Sequence, residues 1–314
     1  MKSILKKVAG VAVAAVLALG MFSCSNGIDY PVKQTVATPV FSVASGAVNS
    51  GTSVTISCST VGAKIYYTTD GSDPTAESTE YAGAISVTPP MTLKAIAVKD
   101  GMNNSAVASA SYSIIPTPGD FVLKDGTILS KDEIPESGTV AAVIVRAAAD
   151  GKPALGVGIV HNTMAWCTKD AEGNSKNITA LQVDETSGYM DGSDGWEKLK
   201  EACTDAESNP EKYPAWNYSL TYATKNSLTG DLEEGWYLPT LAELYTIYQN
   251  KAVVNASLSK AGGSTFGTSW YWSCCTYPSI NDLARGLDFD NGAMNSLYDK
   301  YYTFLSVCSV RAFN

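Results

Sequence analysis

The sequence predicts two successive folds, an all-β sandwich over residues 37–115 and an α+β domain over residues 120–314. Three observations carry this. From Ala37 to Ile115 the apolar residues recur with period two and never with the helical period. Pro116-Thr117-Pro118-Gly119 then forms a short stiff linker at residues 116–119. Beyond it the composition changes: Trp166, Trp196, Trp216, Trp236, Trp270 and Trp272, all six tryptophans, follow the linker, and helix signals alternate with strands.

Residues 1–23 read as a signal peptide. Lys2, Lys6 and Lys7 precede a 15-residue apolar run, Val8 to Phe22, shorter than the ~20 residues of a membrane-spanning helix. The run ends in Met21-Phe22-Ser23-Cys24, which resembles a bacterial lipobox. The resemblance implies cleavage before Cys24 and lipidation of its thiol, so the membrane becomes a partner through a lipid anchor. Met21 and Phe22 depart from the commoner pattern. Residues 24–36 lack periodicity and read as a tether. Cleavage would leave 19 basic against 31 acidic residues. So acidic a chain has no electrostatic reason to bind nucleic acid.

In the first domain, TSVTISCS at 52–59, KIYYTT at 64–69, TLKAIAVKDG at 92–101 and VASASYSI at 107–114 read as strands. Asp70-Gly71 and Asp100-Gly101 supply turns, because glycine reaches positive φ without a steric penalty. The words IYYTTDGSDPT at 65–75, Ser78, Tyr81, LKAIAVKDG at 93–101 and SYSI at 111–114 resemble the immunoglobulin-like module at the C-terminus of chitobiases and β-hexosaminidases. That resemblance implies an accessory module and transfers no catalytic residue.

The second domain opens with DFVLKDGTIL at 120–129, TVAAVIVRA at 139–147 and ALGVGIVHN at 154–162. The run Val140 to Val145 is continuously apolar, as in a strand buried on both faces. Helices are expected at 195–203 and from Tyr213 to Ala223. Thr240 and Glu243 have the spacing of a capping box, followed by the stripe Leu241, Leu244, Tyr245 and Tyr248. Lys251 falls where the helix dipole favours a cation. A second helix, Val253 to Ala261, stops at Gly262-Gly263. In SWYWSCC, strict alternation puts Trp270, Trp272 and Cys274 on one face and Tyr271, Ser273 and Cys275 on the other. LARGLDF and AMNSL form a hairpin near Asn291-Gly292, and FLSVCSVRAF at 304–313 is the last strand.

This order resembles the C-type-lectin-like domain of exported bacterial proteins, including collagen-like adhesins. The matching residues are Gly235-Trp236-Tyr237-Leu238-Pro239-Thr240 with Glu243-Leu244, Val254-Asn255-Ala256, Gly262-Gly263, Tyr271-Trp272-Ser273, Phe289, Asn291-Gly292 and Val310-Arg311-Ala312-Phe313. The expected fold is thus an all-β immunoglobulin-like sandwich followed by an α+β C-type-lectin-like domain.

Its chemistry points away from catalysis. His161 is the one histidine, follows a strand and has no nucleophile signature beside it. Formylglycine-generating enzymes share the broad fold but use a spaced cysteine pair, whereas Cys274 and Cys275 are adjacent. Glu233-Glu234 and Asp288/Asp290 read as solvated turns. Asp191 to Asp194 lacks the spaced ligands of a calcium loop. Neither a metal nor a cofactor is expected. Five of the six cysteines beyond Cys24 fall in this domain, and their pairing is open. Arg311 is expected to be a structural ion-pair partner.

What remains is a recognition face. The loops Thr276 to Asp282 and Tyr298 to Tyr302 carry Tyr277, Asn281, Asp282, Tyr298, Asp299, Lys300, Tyr301 and Tyr302. Tyrosines among polar groups give large contact area at low entropic cost. The expected function is a lipid-anchored envelope protein that recognises a glycan or an extracellular protein, an adhesin in character. The alternatives are a structural surface lipoprotein without a specific ligand and an enzyme of the formylglycine-generating type.

Overall fold

The structure is a computed structural model and describes residues 32–182, 191–278, 280–294 and 296–313. The signal region, Cys24 and the tether as far as residue 31 lie outside the described residues.

Alternation in the first half produces sheets whose inner side chains share one core. A five-stranded sheet runs in the order Gly46–Val48, Ala108–Ile114, Met91–Val98, Lys64–Thr68, Thr79–Glu80. Two smaller sheets pair Val40–Phe41 with Ile56–Ser57, and Thr52–Val54 with Ile85–Val87. Val54, Ile56, Ile85 and Val87 from the small sheets pack with Leu93, Ala95, Ala110 and Tyr112 from the large one. The result is a β-sandwich. Residues 52–59, expected as one strand, divide at Thr55. Val54 pairs with Ile85 while Ile56 pairs with Phe41, so the two pieces serve different partners. The backbone N–H of Ile56 also donates to the Tyr81 hydroxyl at 3.1 Å, holding the break in place.

Strands after residue 120 pair only among themselves in the described residues. One antiparallel sheet has the order Ile128–Leu129, Phe121–Leu123, Val140–Arg146, Ala154–Gly158, Val310–Phe313, Trp236–Tyr237. Val140–Arg146 is buried on both faces. Val143 and Val145 join the main core, and Ala142 and Ile144 join a second cluster with Tyr222, Trp236 and Phe313. Gly158 faces the Tyr222 ring so closely that a Cβ there would lie 2.3 Å from it. A second, five-stranded sheet has the order Asn162–Met164, Leu305–Val307, Trp270–Thr276, Leu283–Asp288, Ser296–Asp299.

Between the sheets sit helices Leu241–Gln249 and Lys251–Lys260. The first begins with the expected capping box. Thr240 Oγ1 accepts from Glu243 N at 3.1 Å, and Glu243 Oε2 accepts from Thr240 N at 2.9 Å. The second helix starts two residues earlier than its pattern suggested, because Asn250 lets the chain turn at once. Lys251 therefore opens this helix and does not close the previous one. Its ammonium donates to the carbonyls of Gly267 and Phe289, both at 2.6 Å.

Two further expectations change. The stretch 304–313 is not one strand: Leu305–Val307 belongs to the five-stranded sheet and Val310–Phe313 to the six-stranded one, with buried Cys308 and Ser309 at the crossing. In Trp270–Thr276 the register shifts between Trp272 and Thr276, so strict alternation fails. Cys274 and Cys275 are both 1% exposed and both join the core, not opposite faces. Cys58, Cys167, Cys203, Cys274, Cys275 and Cys308 are all unpaired thiols.

Candidate functional site

The loop face is built at one end of the hairpin formed by Leu283–Asp288 and Ser296–Asp299. Leu283 pairs with Asp299 and Ala284 with Tyr298, so the residues just outside the hairpin on either strand are neighbours. Lys300 N donates to Asp282 O at 2.9 Å, closing the two loops on each other. Asp299 Oδ1 accepts from Tyr301 N and Tyr302 N at 2.9 and 2.7 Å, and Thr303 N reaches Asp299 O at 3.2 Å. These bonds fold residues 299–303 into a tight turn. Tyr302 is held out at 69% exposure, with its ring 4.5 Å from that of Tyr301.

The expected contact residues divide. Asn281, Asp282 and Tyr302 are exposed, and Asp299 and Tyr301 are half-buried. Tyr277 is half-buried with the Arg285 guanidinium 5.5 Å from its ring centre, so one face of the ring is covered. Tyr298 lies on the strand, not in the loop, and its ring packs edge-on against Trp270 and Trp272 at 5.1 and 6.0 Å. Lys300 is the clear correction. It is 0% exposed, and its ammonium donates to three backbone carbonyls: Gly173 at 2.8 Å, Lys176 at 3.1 Å and Asn281 at 2.5 Å. Its side chain is closed off from solvent. A lysine among tyrosines reads as surface, and carbonyl partners leave no trace in a sequence.

Two exposed apolar residues accompany these groups. Ile280 is 38% exposed and Phe304 65% exposed. Phe304 reads as part of the last strand by its apolar character, yet the strand begins only at Leu305. Exposed Ile280 thus lies in one loop with Asn281 and Asp282, and exposed Tyr302 and Phe304 lie at the end of the other and just beyond it.

Other chemical candidates are committed to the fold. His161 Nδ1 hydrogen-bonds the Tyr271 hydroxyl at 2.9 Å, and its ring lies 4.5 Å from that of Phe266. Its Nε2 is buried without a partner, and burial lowers its pKa to about 3. It is a neutral packing residue at ordinary pH. Glu243 is buried, which raises its pKa to about 7, while donors from Thr240 and Tyr237 stabilise the carboxylate. Desolvation likewise pushes Cys167 up to about 12 and raises Cys308, so neither is a nucleophilic thiolate. Glu233 and Glu234 are exposed, but Asp288 is buried and its Oδ1 accepts from Asp290 N at 2.8 Å. Arg311 forms no ion pair among the described residues. It donates to the carbonyls of Glu234, Asp231 and Ala312, and it sits 5.0 Å from the Phe313 ring centre. Among the described residues, no three His, Cys, Asp or Glu side chains gather as a metal-binding group.

Residues 43–109 match the family described as the chitobiase/beta-hexosaminidase C-terminal domain. This agrees with the immunoglobulin-like sandwich seen for the first half. A fimbrial protein from Bacteroides ovatus ATCC 8483 is similar in structure, with 13% identity and a TM-score of 0.49; the alignment covers 89% of this chain and 70% of that one. No curated protein matches the chain.

Proposed function

We propose that the protein is a non-catalytic recognition protein of the bacterial cell envelope. Cys24 carries the lipid anchor, residues 37–115 form an immunoglobulin-like spacer, and residues 120–314 form a C-type-lectin-like domain. That domain presents its loop face to a glycan or an extracellular protein. The observation that carries the reading is the closed pair of loops, in which Lys300 N joins Asp282 O while Ile280, Asn281 and Asp282 on one loop and Tyr302 on the other stay exposed. An aromatic side chain held on a hydrogen-bonded loop loses little entropy on binding. The similarity of residues 43–109 to a chitobiase and beta-hexosaminidase domain supports a setting among glycans.

The test is a glycan and matrix-protein array probed with the mature chain, with and without calcium. Saturable binding that is lost in a Tyr302→Ser/Phe304→Ser double variant is expected; no binding on either array defeats the reading. For the anchor, Cys24→Ala should abolish incorporation of labelled acyl chains. The alternative of a structural lipoprotein without a ligand gains weight from Lys300, Tyr298 and Tyr277, whose side chains are engaged by the fold itself.

A further inference from the structure

Lys300 is an unusual occupant of a protein interior. It ranks among the largest fully buried side chains, yet it forms no salt bridge with a described residue. An ammonium has three N–H bonds, and three carbonyl oxygens receive them. Those oxygens come from two separated segments. Gly173 and Lys176 belong to the stretch around the short turn Glu172–Asn174, and Asn281 belongs to the loop leading into Leu283–Asp288. The main chain of Lys300 adds to the junction, since its carbonyl accepts from Trp166 N at 3.0 Å and Cys167 N at 3.2 Å. Its ammonium also lies 5.2 Å from the Trp166 ring centre.

Neutral carbonyl oxygens converging on one positive centre in a dry interior are the surroundings that a hard metal ion takes from a protein. Here a covalently attached cation fills them. We propose that Lys300 is a built-in cation that clamps loop 280–282 to loop 172–176, so that the exposed face is assembled without a bound metal ion. The clamp stands by itself. Its consequence, calcium-independent ligand binding, rests on the recognition reading.

Burial lowers the Lys300 pKa to about 8, while Cys167, Cys203, Asp282 and Asp299 favour the charged form, so the group remains an ammonium at pH 7. Removing it leaves three carbonyls without this donor, that of Gly173 in a buried place, and an unmet buried acceptor is expensive. The loops would then open to solvate them.

Amide hydrogen exchange on the full mature chain at pH 7 tests the clamp. Lys300→Met keeps length and apolar bulk but carries no charge. It should speed exchange at 172–176 and 280–282 by roughly tenfold or more while the sandwich at 43–109 is unchanged. In the wild-type chain, chelator and millimolar calcium should give the same protection at those loops within about twofold. Unchanged protection in Lys300→Met would mean that the side chain only fills space, and it would overturn the proposal. Protection that rises with calcium in the wild type would also overturn it, because a metal would then do the clamping. If Lys300→Met fails to fold, the wild-type comparison decides alone, with calcium-insensitive protection upholding the clamp. None of these readouts involves a ligand, so failure of the arrays leaves the clamp intact, and failure of the clamp leaves the arrays to be judged separately.

Discussion

The sandwich and the α+β half solve the same problem with different materials. In the sandwich, Val54, Ile56, Val87, Leu93 and Ala95 close a hydrocarbon core from alternating strands. In the α+β half, large aromatics and buried polar groups interlock. Trp166 and Trp216 meet edge to face at 5.4 Å, Phe266 stacks on Phe289 at 4.5 Å, and Glu243 and Lys300 are buried with their hydrogen bonds satisfied from the backbone and neighbouring hydroxyls. Apolar burial is non-directional and tolerates volume-conserving exchange. Buried donors and acceptors are directional, and leaving one unmet is costly. The second half should therefore be the more brittle in composition and the more exact in shape.

The largest expected effects separate the two halves. Trp272 is fully buried and its indole N–H donates to Met164 O at 2.9 Å. Trp272→Ala should cost about 3–5 kcal/mol, and Leu93→Ala in the sandwich about 2–5 kcal/mol. Calorimetry of the mature chain should show each substitution lowering a different transition. One shared transition moved equally by both would refute the division into two independently cored units.

Next comes pH. The folded pKa of Glu243 lies near 7, above its ordinary value of 4.5, so the folded chain binds more protons than the unfolded one between these limits. The stability from this group is fully present below about pH 4.5. It is lost as pH rises through 7, by up to roughly 3 kcal/mol. Denaturant titrations of wild type and Glu243→Gln from pH 4.5 to 8 should converge or cross by that amount; parallel curves would exclude Glu243 as the source.

A smaller effect is expected at the helix cap. Thr240→Ala removes the acceptor for Glu243 N and should cost about 1 kcal/mol. Smallest for stability are Tyr302→Ser and Phe304→Ser, each within about 0.5 kcal/mol by thermal melting because both residues are exposed. If either destabilises the chain as a core residue would, the face is part of the packing and not a docking surface.

Much of this was legible wherever a local rule governs. Alternation gave away Leu93, Ala95 and Ala97; the capping box gave away the start of Leu241–Gln249; a continuous apolar run gave away the doubly buried Val140–Arg146. The failures share a cause, which is that backbone geometry overrode a side-chain pattern. The bulge after Trp272 turned Cys274 and Cys275 into one core. A break at Thr55 gave two partners to what looked like one strand. Lys300 looked like a surface charge and Arg311 like an ion-pair partner, but carbonyl oxygens, which every residue carries alike, took up their donors. The loops were legible in outline from their tyrosines, while exposed Phe304 was hidden inside a stretch that reads as a strand.

The crossing at Cys308-Ser309 bears on the order in which the molecule can be assembled. Among the described residues, Trp236–Tyr237 finds its only strand partner in Val310–Phe313, and Asn162–Met164 finds its own in Leu305–Val307. Until residues 305–313 arrive, both sheets of the α+β half have a gap, and two short strands have nothing to pair with. The sandwich, complete by Ile114, closes from its own residues and needs none of these. A chain emerging from its N-terminal side would thus carry a finished first half and an open second half until residues 305–313 arrive and one segment closes two sheets at once.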